Sequence, residues 1–355
     1  MSPLRHTQLA LRYACIAMTL AALVASFAWV AGWIRLPGAS PALSAARLID
    51  AFEGASGRHP GFRRNHAKGI CVSGYFDSNG NGLALSRASV FERGRTPVVG
   101  RFSAPGGNPS EDDAFTTVRS FALRFTTSDG EQWRTGMNSA PVFAVRTPEA
   151  VYEQQEAMQR DHRTGRADPA RLDAFFARHP ETGALRNWLA NHPPSSAFYD
   201  ASYYSINAFR FTNARGDTRF VRWSVVPETP YAPSAARADV AHDPDFLAHG
   251  LRTRLQKHPA RWQLMLTPAD PGDPVDDATR AWPPERELHR VDAGTLVITR
   301  AQAQIDGACR DINFDPVVLP TGISPSDDPL LAARSAAYAE SFARRTQEQA
   351  RANVR

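Results

Sequence analysis

Between Gly69 and Val145, and again between Tyr203 and Ile305, the chain is cut into short runs of β-branched and aromatic residues closed by Gly, Asn, Pro or Asp. Short runs bounded by turn formers in this way are strands. The first group contains ICVSGYF (70–76), VVGRFS (98–103), SFALRFTT (120–127) and APVFAV (140–145). The second contains YYSINAFRFTN (203–213), TRFVRWSVVP (218–227), RWQLMLTP (261–268) and GTLVITRAQAQI (294–305). Residues 148–191 between them read as helices, and 36–56 as a linker entering a short helix. The tail is an amphipathic helix opened by Asp327 and Asp328, both good N-cap residues. The pattern predicts an α+β fold, an antiparallel barrel of about eight strands with helices outside it. On pattern alone a lipocalin-like binding barrel fits equally well.

Composition narrows the partners. A hydrophobic share of 43% and a charged share of 22% belong to a globular chain. The net charge of +5 is mild and both signs are spread along the sequence. There is no Lys/Arg stripe with interleaved aromatics, which excludes nucleic acid as a partner. Residues Ala14–Ile34 are 21 consecutive residues without a charge, preceded by Arg5 and Arg12 and followed by Arg35. A helix of about 20 apolar residues spans a bilayer core. Residues 1–35 are therefore expected to be a single-pass inner-membrane anchor, with 36–355 as one domain in the periplasm; a cleaved signal peptide is the competing reading. Of the three cysteines, Cys15 falls in the apolar run and Cys71 and Cys309 in the domain. The latter are either buried thiols or a pair.

Chemistry-bearing residues come in several clusters. Arg63-Arg64-Asn65-His66-Ala67-Lys68-Gly69, read alone, holds an ordinary surface histidine. Gly100-Arg101-Phe102-Ser103 and Met137-Asn138-Ser139-Ala140-Pro141-Val142-Phe143 follow, placing Ser103 and Asn138 37 and 72 residues after His66. Further on come Asn207-Ala208-Phe209-Arg210-Phe211 and then Phe314-Asp315-Pro316, Pro320, Gly322-Ile323 and Pro325, leading into Arg334-x-x-x-Tyr338. On a helix Arg334, Tyr338 and Arg345 lie within about 40° of one another, on one face.

In this order and at these spacings the segments resemble the haem catalases, over roughly residues 45–350. The resemblance implies a barrel of catalase type with a helical insertion and a C-terminal haem-binding helix. It implies heme b (iron protoporphyrin IX) as cofactor and gives each position a role. His66 would be the distal acid–base residue, with Ser103 orienting it and Asn138 holding the peroxide. Tyr338 would be the iron ligand, as a phenolate favoured by Arg334 one turn earlier. Arg63, Arg101 and Arg345 would supply fixed charge for the propionates. An imidazole suits the distal role because it can both take and return a proton. With such a fold the strand after His66 and the strand holding Cys309 would be the first and last of a closed barrel, letting Cys71 and Cys309 pair.

The chain also departs from catalases. Asn65 replaces the apolar residue before the distal histidine, Val151 stands where a phenylalanine flanks the haem, and Asn207 stands in place of a histidine behind Arg334. The catalase N-terminal arm, wrapping segment and further C-terminal helices have no counterpart. The smaller catalase-related peroxidases are similar in this respect. The expected activity is reduction of organic peroxides, and of hydrogen peroxide, with an external electron donor. Rearrangement of lipid hydroperoxides, as in allene oxide synthases, and a haem or lipophile carrier are the alternatives. No nucleotide site is present to suggest NADPH.

Overall fold

The computed structural model describes residues 3–30, 43–161, 163–234 and 243–353. The chain divides into two compact units, Met1–Ser44 and Ala45–Arg355. In the first, helix α1 covers Pro3–Val30. Cys15, its free thiol, is exposed.

The inner-membrane and periplasmic assignment is corrected here: among the described residues no helix is long and apolar enough to cross a membrane. Residues 31–34, which complete the 21-residue run, lie outside the described residues.

The second unit is built on a meander of four strands, β1 (Gly69–Ser78), β2 (Gly94–Ser103), β3 (Ser120–Thr126) and β4 (Gln132–Asn138). Helices α3 (Pro148–Met158), α4 (Pro169–Arg178) and α5 (Thr182–Asn191) form the insertion. The second half contributes β5 (Tyr203–Tyr204), β6 (Phe209–Thr212), β7 (Thr218–Pro227), helix α6 (Phe246–Lys257), β8 (Ala260–Pro268) and β9 (Val291–Ala303). β10 (Ile323–Pro325) and the long helix α7 (Pro329–Asn353) follow, and α2 (Ala45–Ser56) precedes the barrel. Antiparallel pairings run β1–β2–β3–β4–β5–β7–β8–β9 and return to β1, so eight strands close without an edge. β6 pairs with β7 beside β5, and β10 pairs with β6.

Alternation sorts the side chains. In β3 and β4, Phe121, Leu123, Phe125, Trp133, Thr135 and Met137 are buried, while Ala122, Arg124, Arg134 and Gly136 point the other way. The inward aromatics fill the barrel; Phe102 and Phe121 stack at 3.9 Å, and Phe125 and Trp133 at 5.0 Å. The barrel is therefore a packed scaffold, and the space for chemistry lies on its outer face.

Three local expectations change. APVFAV is irregular, not a strand: Pro141 lacks a ladder N–H, and the N–H of Phe143 is given to the carbonyl of Ala278. The run 203–213 is broken into β5 and β6 at Ile206, a β-branched residue with φ 67°. Cys309 lies in the turns after β9 and not in a strand, yet β1 and β9 are neighbours and the Cys71 and Cys309 sulfurs are bonded, with Cα atoms 5.3 Å apart. Alkylation of the unreduced, denatured chain should label one cysteine, Cys15, and label three after reduction. Three labels without reduction would show that the pair does not form.

Candidate active site

The outer faces of β2, β3 and β4, together with α2, α3 and α7, enclose a cavity with about 1320 Å³ of empty space, counting its open mouth. Sheet register makes one wall, because Arg101 stands opposite Ala122 and Ala122 opposite Gly136. Small residues are needed there. A Cβ on Gly136 would lie 2.9 Å from Arg334 Nη2 and 3.4 Å from Tyr338 Oη.

One side of the cavity is the loop between α2 and β1, which carries His66. His66 has φ 57°, left-handed backbone of the kind that histidine tolerates better than bulkier residues. Ser103 Oγ is 3.5 Å from His66 Nδ1, which leaves Nε2 for the cavity. Burial, then the charges of Arg101, Arg334 and Arg63, lowers the His66 pKa to about 3. The imidazole is neutral across the physiological range. Asn138 lines the same cavity, and its Oδ1 accepts a 2.7 Å hydrogen bond from Ser120 Oγ. That bond turns the amide NH₂ away from Ser120 and leaves it without a described partner.

On the proximal side Arg334 and Tyr338 are one turn apart on α7, with the guanidinium carbon 5.9 Å from the ring centre. Arg334 donates to Asn207 Oδ1 at 2.6 Å and to the Gly136 carbonyl at 3.3 Å. Asn207 in turn donates to Asp328 Oδ2 at 2.7 Å, while the other Asp328 oxygen caps α7 at Leu330 N, 2.9 Å away. The break at Ile206 delivers Asn207 to this contact. Tyr338 Oη has no hydrogen-bond partner among the described residues.

Three further arginines share the cavity. Arg63 donates to the carbonyls of Cys309 at 3.1 Å and Ile312 at 3.0 Å, Arg101 to the Ala67 carbonyl at 3.1 Å and Gln304 Oε1 at 2.5 Å, and Arg345 to the Arg310 carbonyl at 2.6 Å. None forms an ion pair among the described residues. Arg101 and Arg345 are only 2% and 3% exposed, and the Nε atoms of both are buried without a partner. Burial, then mutual repulsion with Arg345, pushes Arg101 down to about 9; Arg63 is pushed down by burial, Arg101 and Arg345. Buried cations are normally paired, so this cluster fits a ligand carrying two carboxylates. Haem b, with two propionates on an apolar plate, meets that requirement, and Leu48, Ile49, Phe143, Val151 and Phe342 line the cavity for the plate.

A buried ion-pair knot ties the loop before β1 to α2 and α7. Arg64, 3% exposed, binds Glu348 of α7 through both nitrogens at 2.6 and 2.9 Å and Glu53 of α2 at 2.6 Å. Burial raises the Glu348 carboxyl, but hydrogen bonds from Arg64, Gly61 N and Arg58 outweigh it and hold the pKa at about 2.

Residues 44–352 match the family model for catalase. The chain belongs to the catalase family. Members of the catalase family are haem enzymes with haem b. Among relatives, a catalase-related peroxidase of Synechococcus elongatus is 37% identical over 331 residues, 93% of this chain and 96% of that protein. A catalase-related peroxidase of Mycolicibacterium paratuberculosis is 34% identical, over 86% of this chain and 96% of its own length. A catalase of Pseudomonas aeruginosa is 29% identical, and the match covers 55% of it. Among solved structures, a fungal catalase superimposes with a TM-score of 0.72 at 20% identity, covering 81% of this chain and 59% of that one. A bacterial catalase gives 0.72 at 22% identity, covering 87% and 62%.

All eight residues singled out in the sequence, His66, Ser103, Asn138, Arg63, Arg101, Arg334, Tyr338 and Arg345, line this catalase-family cavity. Sequence reading missed Ser120, Gly136 and Gln304, and read Asp328 only as a helix cap and not as a partner of Asn207. Ser120 and Gly136 could have been found from the two-residue period of β3 and β4, which puts them on the face of Ala122 and Asn138. Gln304 carries no local signal, and Asp328 signals its cap but not its bond to Asn207.

The lowered His66 pKa has a definite thermodynamic sign. Between about 6.5, the unfolded value, and about 3, the unfolded chain binds a proton that the native chain does not. Stability therefore falls as pH falls through that window. Thermal melts of the haem-free protein should show this acid limb, and His66→Gln should flatten it. An unchanged limb in the variant would show that His66 titrates normally.

Proposed function

We propose that the protein is a haem b peroxidase that reduces organic hydroperoxides, and hydrogen peroxide as well, with an external electron donor. The observation that carries this reading is the cluster of Arg63, Arg101 and Arg345, three cations without a carboxylate on the cavity that also holds Tyr338 and His66. Both relatives matched along 96% of their own length are named catalase-related peroxidases, which supports peroxidase over fast dismutation.

Arg63, Arg101 and Arg345 would hold the two propionates. Tyr338 would ligate the iron, with the guanidinium of Arg334 favouring the phenolate. When bound, haem supplies a ferric centre that exchanges two electrons between peroxide and donor. His66 does the proton work. Its neutral Nε2 takes the proton from the hydroperoxide oxygen and returns it to the oxygen that leaves, so that the alkyl fragment departs as alcohol. Asn138 offers its amide NH₂ to the peroxide without adding charge. Over a full turn one hydroperoxide, two electrons and two protons give one alcohol and one water.

Pairing the arginines with carboxylates removes part of the repulsion that depresses His66. The distal base would be more basic in the loaded enzyme than in the empty one.

The test is an absorption titration with haem, followed by an organic hydroperoxide and a dye donor. The expected result is a ferric tyrosinate-type spectrum and sustained dye oxidation. Tyr338→Phe should lose the spectrum, and His66→Ala should retain it while losing about 10²-fold or more of the rate. A chain that takes up no haem, or that dismutates hydrogen peroxide at the rate of a true catalase, would contradict the reading.

A further inference from the structure

The ring of His66 is aimed less by its side-chain partner than by its backbone. The Ser103 contact, at 3.5 Å, is at the long limit of a hydrogen bond. The ring also bonds the backbone of Ala104, while the direction in which the side chain leaves the main chain is set by the left-handed turn at His66, and the structure shows what holds that turn. β1 and β2 pair as far as Gly69 and Ser103. Beyond them the strands stay zipped through Ala104 N to the Lys68 carbonyl at 3.3 Å and Ala67 N to the Gly106 carbonyl at 2.9 Å. At His66 the chain turns out of the ladder, and two backbone N–H groups, of His66 and Gly106, would lose their acceptor. Asn65 Oδ1 accepts both, at 2.9 and 2.8 Å. An amide oxygen shared by two N–H donors cannot flip, because the reversed amide would face NH₂ against two further donors.

We propose that Asn65 is a positioning residue of the distal site: its side-chain oxygen stands in for a missing backbone carbonyl and holds His66 in the conformation from which Nε2 reaches the cavity. A solvent-facing polar residue at the channel would leave its oxygen free, and here it is fully used within the loop. The inference deepens the peroxidase reading and rests on it for its catalytic consequence, while its structural half stands on the loop alone.

The experiment measures hydrogen cyanide affinity of the haem-loaded full chain by absorption titration. Cyanide binds as the anion, so its proton must go to the distal base, and affinity reports whether His66 is in place. Asn65→Ala should weaken binding by about tenfold or more, whereas Asn65→Asp, which keeps an oxygen for both N–H groups, should stay within about threefold of the parent. Because Asn65 acts through His66, Asn65→Ala added to His66→Ala should cause no further loss. Losses that multiply in the double variant, or an unaffected Asn65→Ala, would overturn the proposal. Amide hydrogen exchange of the haem-free chain reads the loop separately: the His66 and Gly106 amides should exchange faster in Asn65→Ala and stay protected in Asn65→Asp. Failure to take up haem would count against the peroxidase reading alone, and unchanged exchange in Asn65→Ala would count against this one.

Discussion

Arg63, Arg101 and Arg345 repel one another around a single cavity, and among the described residues no carboxylate pairs with them directly, Asp311 acting on Arg63 and Arg345 only through its charge. Guanidinium groups do not readily shed their protons, so the empty domain carries unrelieved electrostatic cost. The surroundings are arranged to bear it. Backbone carbonyls of Cys309, Ile312, Arg310 and Ala67 face the three side chains, and the Cys71–Cys309 bond ties the turn that supplies several of them to the first strand of the barrel. Carbonyl dipoles soften the repulsion without neutralising it. A ligand with two carboxylates would complete the site, and the same event would release His66 from part of the positive field that holds its pKa near 3.

The barrel makes this arrangement possible by being filled. Stacked aromatics occupy its interior, so the wall carrying Arg101, Ala122 and Gly136 is rigid, and α7 can approach it closely only because Gly136 has no side chain. Among the described residues, two non-glycine residues have left-handed backbone, His66 and Ile206, at φ 57° and 67°. Each costs about 1–3 kcal/mol in general terms, and each lines the cavity. One aims the distal imidazole, and the other breaks a strand so that Asn207 can link Asp328 to Arg334. Backbone strain therefore falls on both walls of the cavity, beside the side chains proposed for catalysis.

Much of this was legible before any coordinates. The β-branched and aromatic runs 120–127 and 218–227, closed by turn formers, mark strands correctly. The face shared by Arg334, Tyr338 and Arg345 followed from helix geometry. The break at Ile206 was hidden because 203–213 is apolar and β-prone throughout; the interruption is set by contacts with α7, far off in sequence. APVFAV looked like a strand for the same compositional reason, and Pro141 and the contact with Ala278 decided otherwise. The anchor inferred from the uncharged run is not supported either, since among the described residues no helix is long and apolar enough to cross a membrane. Asn65 was visible as a departure from the catalase pattern, but its use as a backbone substitute needs the neighbouring loop at Gly106.

The most direct test of the central claim compares the haem-free chain's affinity for iron protoporphyrin IX with its affinity for the dimethyl ester, which has the same plate and iron but no carboxylates. If the arginine cluster is the carboxylate receptor, the diacid should bind about 10²-fold tighter or more, from charge-assisted bonds worth about 1.5–3 kcal/mol each. Equal affinities would show that the three cations are not there for the propionates, and the account of the site would fail.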